Sequence, residues 1–188
     1  MKVAVEQWQH YTLKSASGRA MAYLTHAQTK GLGPIAQAQA GETAQALEAV
    51  REDLAQMEAD RTEDAPRKLH IPATREFTYA LGALDVSPAI QSMMRALALT
   101  DEAGITATAL ADVAGYANYN AANLQLGMAC AQMGDMTGLR TAKGKDAEGR
   151  AAATFLIADE GPREAATGNW TWRPRPAFAA AFKAIQGS

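Results

Sequence analysis

The sequence offers almost no sulfur or imidazole chemistry. Among 188 residues there is one cysteine, Cys130, so no disulfide can form within the chain and a reducing compartment is the natural expectation. Cys130 lies in the apolar stretch from Leu124 to Met133, where a thiol ordinarily serves as a small core side chain. His10, His26 and His70 are far apart, and no other cysteine exists to complete a cluster. The closely spaced donors of a zinc site are therefore missing. No metal and no cofactor are expected, and no catalytic signature joins a nucleophile to a base.

Long hydrophobic runs are lacking too. Nowhere do about 18 apolar residues follow one another without a charge, as a membrane helix would require. The opening MKVAVEQWQH has no apolar run of signal-peptide length. The expectation is a soluble, cytoplasmic protein without a membrane partner. A basic excess is also absent: 18 Lys and Arg face 20 Asp and Glu, a net charge of -2. That balance counts against strong nonspecific attraction to nucleic acid.

The charge that is present is unevenly placed. Before position 41 stand Lys2, Lys14, Arg19 and Lys30 against Glu6 alone, a net +3. From Glu42 to Asp64 eight acids face Arg51 and Arg61, a net -6. An acidic helix face in water accounts for that stretch, and an interaction surface is its functional alternative.

Periodicity predicts mostly helices. Ser15 or Ser17 is a candidate cap for a helix through Arg19, Met21, Leu24 and Ala27 that stops at Gly31. Leu47, Val50, Leu54 and Met57 recur at three- and four-residue intervals and predict a helix over about 42–61 with one apolar stripe. That stripe packs on its own chain or on a second copy as a homodimer; it is too short to establish a coiled coil. Thr62 to Lys68, followed by Pro72, reads as a polar crossing. It divides a helical N-terminal region, 1–68, from a second domain, 72–188.

In that second domain Thr74 is a candidate cap for a helix carrying Phe77, Leu81 and Leu84, and Ser87-Pro88 opens another with Ile90, Met93, Met94 and Leu97. Thr106 caps a short helix closed by Gly115, and the Asn118-Tyr119-Asn120 stretch caps the next across a tight turn, the pattern of a helix-turn-helix. The run AAATFLIA and the run NWTWRP predict a hairpin with DEGPREAATGN at its tip, and Pro176 opens a last helix. The expected class is mainly α with a small β-hairpin: a helical N-terminal region plus a C-terminal winged helix.

The string AGYANYNAANLQLG, Ala114 to Gly127, resembles a stretch of bacterial winged-helix domains, some of which accompany restriction-type DNA modules. The resemblance covers about half the chain, starts after Pro72, and implies a DNA-binding fold in a bacterial or phage setting of genome defence. This sequence departs from that pattern at Leu126, where an aromatic residue is usual, and in having no basic residue from Gly127 to Met133.

Two functions follow as expectations. The first is a noncatalytic winged-helix DNA-binding protein, a regulator or a phage- or defence-linked factor. Asn118, Asn120, Asn123 and Gln125 would read base edges, since amides bond bidentately to adenine. Arg140, Lys143, Lys145, Arg150, Arg163, Arg173 and Arg175 would meet the backbone; otherwise they are solubilising loop charges. The second is a protein-interaction module, an inhibitor or adaptor, that docks a protein partner. Its candidate contacts are the stripe Leu47, Val50, Leu54 and Met57 together with Leu126 and Met133, which project on the side of their uncharged helix opposite Leu124 and Met128. A weaker idea places phosphate on Lys14 to Arg19, taken as a helix N-terminus. The glycines of Gly31 to Ala36 read as a helix terminus rather than a dinucleotide fingerprint.

Overall fold

A computed structural model describes residues 3–25, 33–139 and 152–187. The first surprise is at the N-terminus, where four strands form an antiparallel sheet in sequential order: β1 (Ala4–Trp8), β2 (Tyr11–Ala16), β3 (Arg19–Leu24) and β4 (Ala36–Gln39). Tyr11, Leu13 and Ser15 of β2 and Ala20, Ala22 and Leu24 of β3 are buried, while the residues between them face outward. That period of two is a half-buried strand. The inward set is mostly Ala and Ser, so its hydrophobic signal is faint, and the expected helix from Ser15 to Ala27 is not formed. His26 to Gly31 lies outside the described residues.

A two-residue turn at Ser17-Gly18 closes β2 on β3, with Ala16 opposite Arg19 and both turn residues at positive φ (49° and 75°). Primed turns of this kind match the twist of a hairpin and favour glycine at the second position. The segment Lys14 to Arg19 is therefore a hairpin, and the helix N-terminus imagined there for phosphate does not exist. Gly18 also nests against the start of the next helix: its N–H donates to Thr43 Oγ1 at 3.0 Å, and a Cβ on Gly18 would sit 2.4 Å from the Ala40 carbonyl oxygen. Gly18→Ala should therefore cost roughly 1–3 kcal/mol through strain and displacement of this turn, measurable as a lower urea midpoint with an unchanged m-value.

Helix α1 (Thr43–Ala59) lies across the inner face of the sheet and buries Ala46, Val50, Leu54 and Met57 there, with Leu47 partly buried beside them. The stripe is spent on the chain's own sheet. This corrects its assignment as an interaction surface: Val50, Leu54 and Met57 present nothing to a second copy, because the four strands already occupy that side.

The expected polar crossing is instead a tight ribbon, β5 (Thr62–Asp64) paired with β6 (Leu69–Ile71), with Leu69 and Ile71 buried. Beyond it come α2 (Thr74–Ala83), α3 (Pro88–Leu99), β7 (Ile105–Thr106), α4 (Ala107–Ala114), α5 (Tyr119–Met136), β8 (Ala158–Arg163), β9 (Trp170–Pro174) and α6 (Pro176–Gln186). Helix α2 begins after Ala73 rather than on a Thr74 cap; the Glu76 carboxylate takes the Ala73 N–H at 3.0 Å. Strands β7, β9 and β8 form a three-stranded antiparallel sheet in that order. The strand expected in AAATFLIA is a 3-10 turn at Ala152–Leu156, and β8 starts at Ala158. Because 152–158 are all buried, the run has no alternation to separate strand from turn.

The expected class, mainly α with one small hairpin and a helical N-terminal region, is thus overturned by the four-stranded sheet, the ribbon and the third strand beside the C-terminal hairpin. Buried side chains gather in two clusters. One joins the N-terminal sheet to α1. The other spans Leu69 to Phe182 and includes edge-to-face ring pairs, Phe77 with Phe178 (5.7 Å) and Phe155 with Trp172 (5.2 Å).

Candidate nucleic-acid interface

Helices α4 and α5 meet across a short turn that is fixed by capping. The Thr106 hydroxyl accepts the Ala109 N–H at 3.1 Å, Gly115 ends α4 with φ 71°, and the Asn118 carboxamide oxygen accepts the Ala121 N–H at 3.0 Å. Each bond satisfies a helix-end N–H that would otherwise lack an intrahelical partner. Asn118, expected to read bases, has its carboxamide oxygen committed to this cap.

Helix α5 has one buried and one open side. Ala122, Leu126, Ala129, Cys130, Met133 and Met136 enter the core. Asn120, Leu124, Met128 and Gln132, four residues apart, form an exposed line. Leu126 and Met133 are 1% and 0% exposed, whereas Leu124 and Met128 are 57% and 58% exposed. The expected contacts at Leu126 and Met133 are corrected accordingly: both are core residues, and the unpaired apolar side chains are their opposites. Asn120 is exposed and Asn123 and Gln125 are half-buried at the open side. Asp135 is the sole charge in the helix.

The β8–β9 hairpin stands beside the start of α5 and leaves a pocket of about 250 Å³ lined by Thr108, Tyr119, Asn123, Asn169, Trp170 and Thr171. Tyr119 and Trp170 are both exposed there. The lining combines rings, hydroxyls and amides without a charge, so it can bond and stack but holds no acid–base pair.

The arginines expected at the interface separate. Arg163 lies over the Trp170 ring at 4.1 Å and donates to the Gly168 carbonyl at 2.8 Å, remaining exposed at the hairpin tip. Arg173 is exposed and pairs with Glu102 at 3.3 Å. Arg175 is corrected: its guanidinium is mostly buried and bonded to Asp64 Oδ2, to Asp159 Oδ2 at 3.2 Å and to the Phe155 carbonyl at 3.3 Å. With those partners it is a structural cation and not a phosphate contact. Arg140, Lys143, Lys145 and Arg150 lie outside the described residues.

Two ionic networks were not visible in the sequence. Glu76, fully buried, is gripped by Arg61 through Nε (2.9 Å) and Nη2 (2.6 Å), and Tyr11 Oη donates to the same carboxylate at 3.4 Å. Arg61 Nη2 also lies 3.0 Å from His10 Nε2. Burial, with the Glu76 charge beside it, pushes the Tyr11 phenol far above its ordinary value. Burial opposes the Arg61 charge, but the hydrogen bonds and charge of Glu76 outweigh it and raise the guanidinium. The second network centres on Asp64. Burial disfavours its charge, yet bonds from Arg175 and Arg67 prevail and hold the carboxyl below its ordinary range. Arg67 further approaches Asp159 (3.4 Å) and Glu160 (3.3 Å) and covers the Phe155 ring at 4.0 Å. Glu76, three residues after Ala73, carried the one local signal, since an acid at the third helical position is a capping residue. The other partners are too distant in sequence to be paired by inspection.

Among the described residues no group of three or more His, Cys, Asp or Glu is placed to hold a metal ion, and no helix is long and apolar enough to cross a membrane. No protein-family model, curated protein or solved structure matches the chain.

Proposed function

We propose that the protein is a noncatalytic DNA-binding factor whose C-terminal half works as a winged helix, with α5 as the reading element. The observation that carries this is the order α3, β7, α4, α5, β8, β9: a capped helix pair followed by a hairpin, with Asn120 and Asn123 on the open side of α5 beside that hairpin. Amides at the start of such a helix bond to adenine edges in the major groove. Arg163 at the hairpin tip supports it as a backbone contact. The resemblance of Ala114 to Gly127 to bacterial winged-helix domains points the same way.

The test is titration of folded variants against a duplex library at two salt concentrations. Replacing Asn120 and Asn123 by Ala should relax sequence preference by about 1–3 kcal/mol per lost base contact. Neutralising Lys143 and Lys145 should instead weaken binding to every sequence and reduce the salt slope by about 0.9 per lost phosphate contact. A wild type that binds no duplex at low salt, or variants that all bind like wild type, overturns the reading.

One observation favours a second reading. Leu124, Met128, Tyr119 and Trp170 are all exposed, and α5 offers no cation to a phosphate. Exposed Tyr, Trp and Met side chains without charge are the composition of a protein-docking surface. A chain that leaves duplex DNA untouched would carry a protein partner on that line.

A further inference from the structure

The outer face of the N-terminal sheet belongs to no site described so far. Cross-strand register places Val5, Lys14, Met21 and Gln37 in one row, Gln7, Thr12 and Tyr23 in the next, and Ala16, Arg19 and Gln39 at the hairpin end. All lie opposite the side covered by α1. Glu6, the acid of β1, is on the covered side, where it accepts from Arg51 of α1 at 2.6 Å. Among the described residues this face thus carries Lys14 and Arg19 and no carboxylate. The acids Glu48, Glu52, Asp53, Glu58 and Asp60 are all on α1 or at its end, behind the sheet. The N-terminal layer is polarised, cationic and amide-bearing in front and acidic behind.

We propose that this face is a second DNA-binding surface, seated in the major groove of duplex DNA. Charge complementarity is the first argument: a polyanion meets two cations here and no repelling carboxylate. The second is unused bonding capacity. Arg19, Gln37 and Gln39 make no side-chain hydrogen bond or ion pair among the described residues, and Arg and Gln are the side chains that bond bidentately to guanine and adenine edges. Gln7 is different, being engaged with Thr12 and Thr25 at 3.0 and 3.1 Å. Shape is the third argument, since strands about 4.8 Å apart let β2 and β3 enter a groove about 12 Å wide that admits a two-stranded ribbon.

Single-stranded nucleic acid fits less well. Its binders rely on open aromatic faces; the ring on this face is Tyr23, and the Lys14 ammonium lies over it at 5.0 Å. The proposal rests on the reading that DNA is the partner but not on α5 being the contact.

The experiment titrates the full chain with a short random-sequence duplex, and with one strand of it, by fluorescence anisotropy over a range of salt. Lys14→Gln with Arg19→Gln should lower the salt slope by about 2, near 0.9 for each phosphate released. Gln37→Glu with Gln39→Glu should weaken duplex binding about tenfold or more, and Gln37→Lys with Gln39→Lys should tighten it. That gain cannot come from misfolding. Loss in the sheet variants with no effect of Asn120→Ala and Asn123→Ala supports this surface and removes α5. Sheet variants that all bind like wild type, while the α5 variants lose preference, overturn this proposal and leave the other standing. Tighter binding of the single strand overturns it also, and a wild type that binds no duplex overturns both.

Discussion

Glu76→Ala should lower the free energy of unfolding by about 3–5 kcal/mol, the usual cost of removing one partner from a buried ion pair. The carboxylate takes two guanidinium bonds from Arg61, one from the Tyr11 phenol and one from the Ala73 N–H. Without it, the largely buried Arg61 loses its nearest counter-charge and the Ala73 N–H its acceptor. Both are left in surroundings where water cannot readily replace the lost bonds. The pair itself need not be a net source of stability, because burying two charges costs heavily before they attract each other. The double variant Arg61→Met with Glu76→Met should therefore lie closer to wild type than Glu76→Ala does. Urea unfolding followed by tryptophan fluorescence measures all three. A loss under 1 kcal/mol for Glu76→Ala would show that the network is not energetically important.

Arg175→Met should cost about 3 kcal/mol, toward the lower end for such a deletion because Arg67 still faces Asp64. It should also change the response to acid. The Asp64 carboxyl is held below its ordinary value in the folded chain. Its stabilising contribution is therefore complete above the unfolded-state value, about 3.9, and is lost as pH falls from there through the lower folded value. Arg175→Met relieves part of that depression, so its deficit should be largest near neutrality and shrink as acid protonates Asp64 in both proteins. Unfolding free energies compared between neutral pH and pH 3 test this. A deficit that stays constant with pH would mean that Arg175 acts through packing of its stem rather than through Asp64.

The parts legible in the sequence are those governed by local chemistry. The caps at Ser87, Thr106 and Asn118 each accept a backbone N–H three residues ahead, and such short-range bonds leave a readable residue pattern. The stripe of α1 was also plain, though nothing local said that a sheet would cover it. The strands β1 to β4 were obscured because their inward positions are filled by Ala and Ser beside few large side chains, so period two is weak and Arg19, Met21 and Leu24 mimic a helical face. Thr62 to Lys68 looked exposed because it is charged; the ribbon buries Asp64 by pairing it with Arg175, 111 residues away. At the candidate interface the amides of α5 were found, while the sides of the helix were exchanged. Leu126 and Met133 have the same chemistry as Leu124 and Met128, and only the packing of neighbours decides which pair is inside.

Cys130 sits wholly within that packing, and burial pushes its thiol well above the ordinary value. The reactive species toward thiol reagents is the thiolate, so the folded chain hides its single sulfur twice, from contact and from ionisation. Modification then has to wait for the core around α5 to part. With one thiol there is no ambiguity of site, and the rate of labelling becomes a clock for the breathing of the C-terminal core, read without adding a probe to the chain.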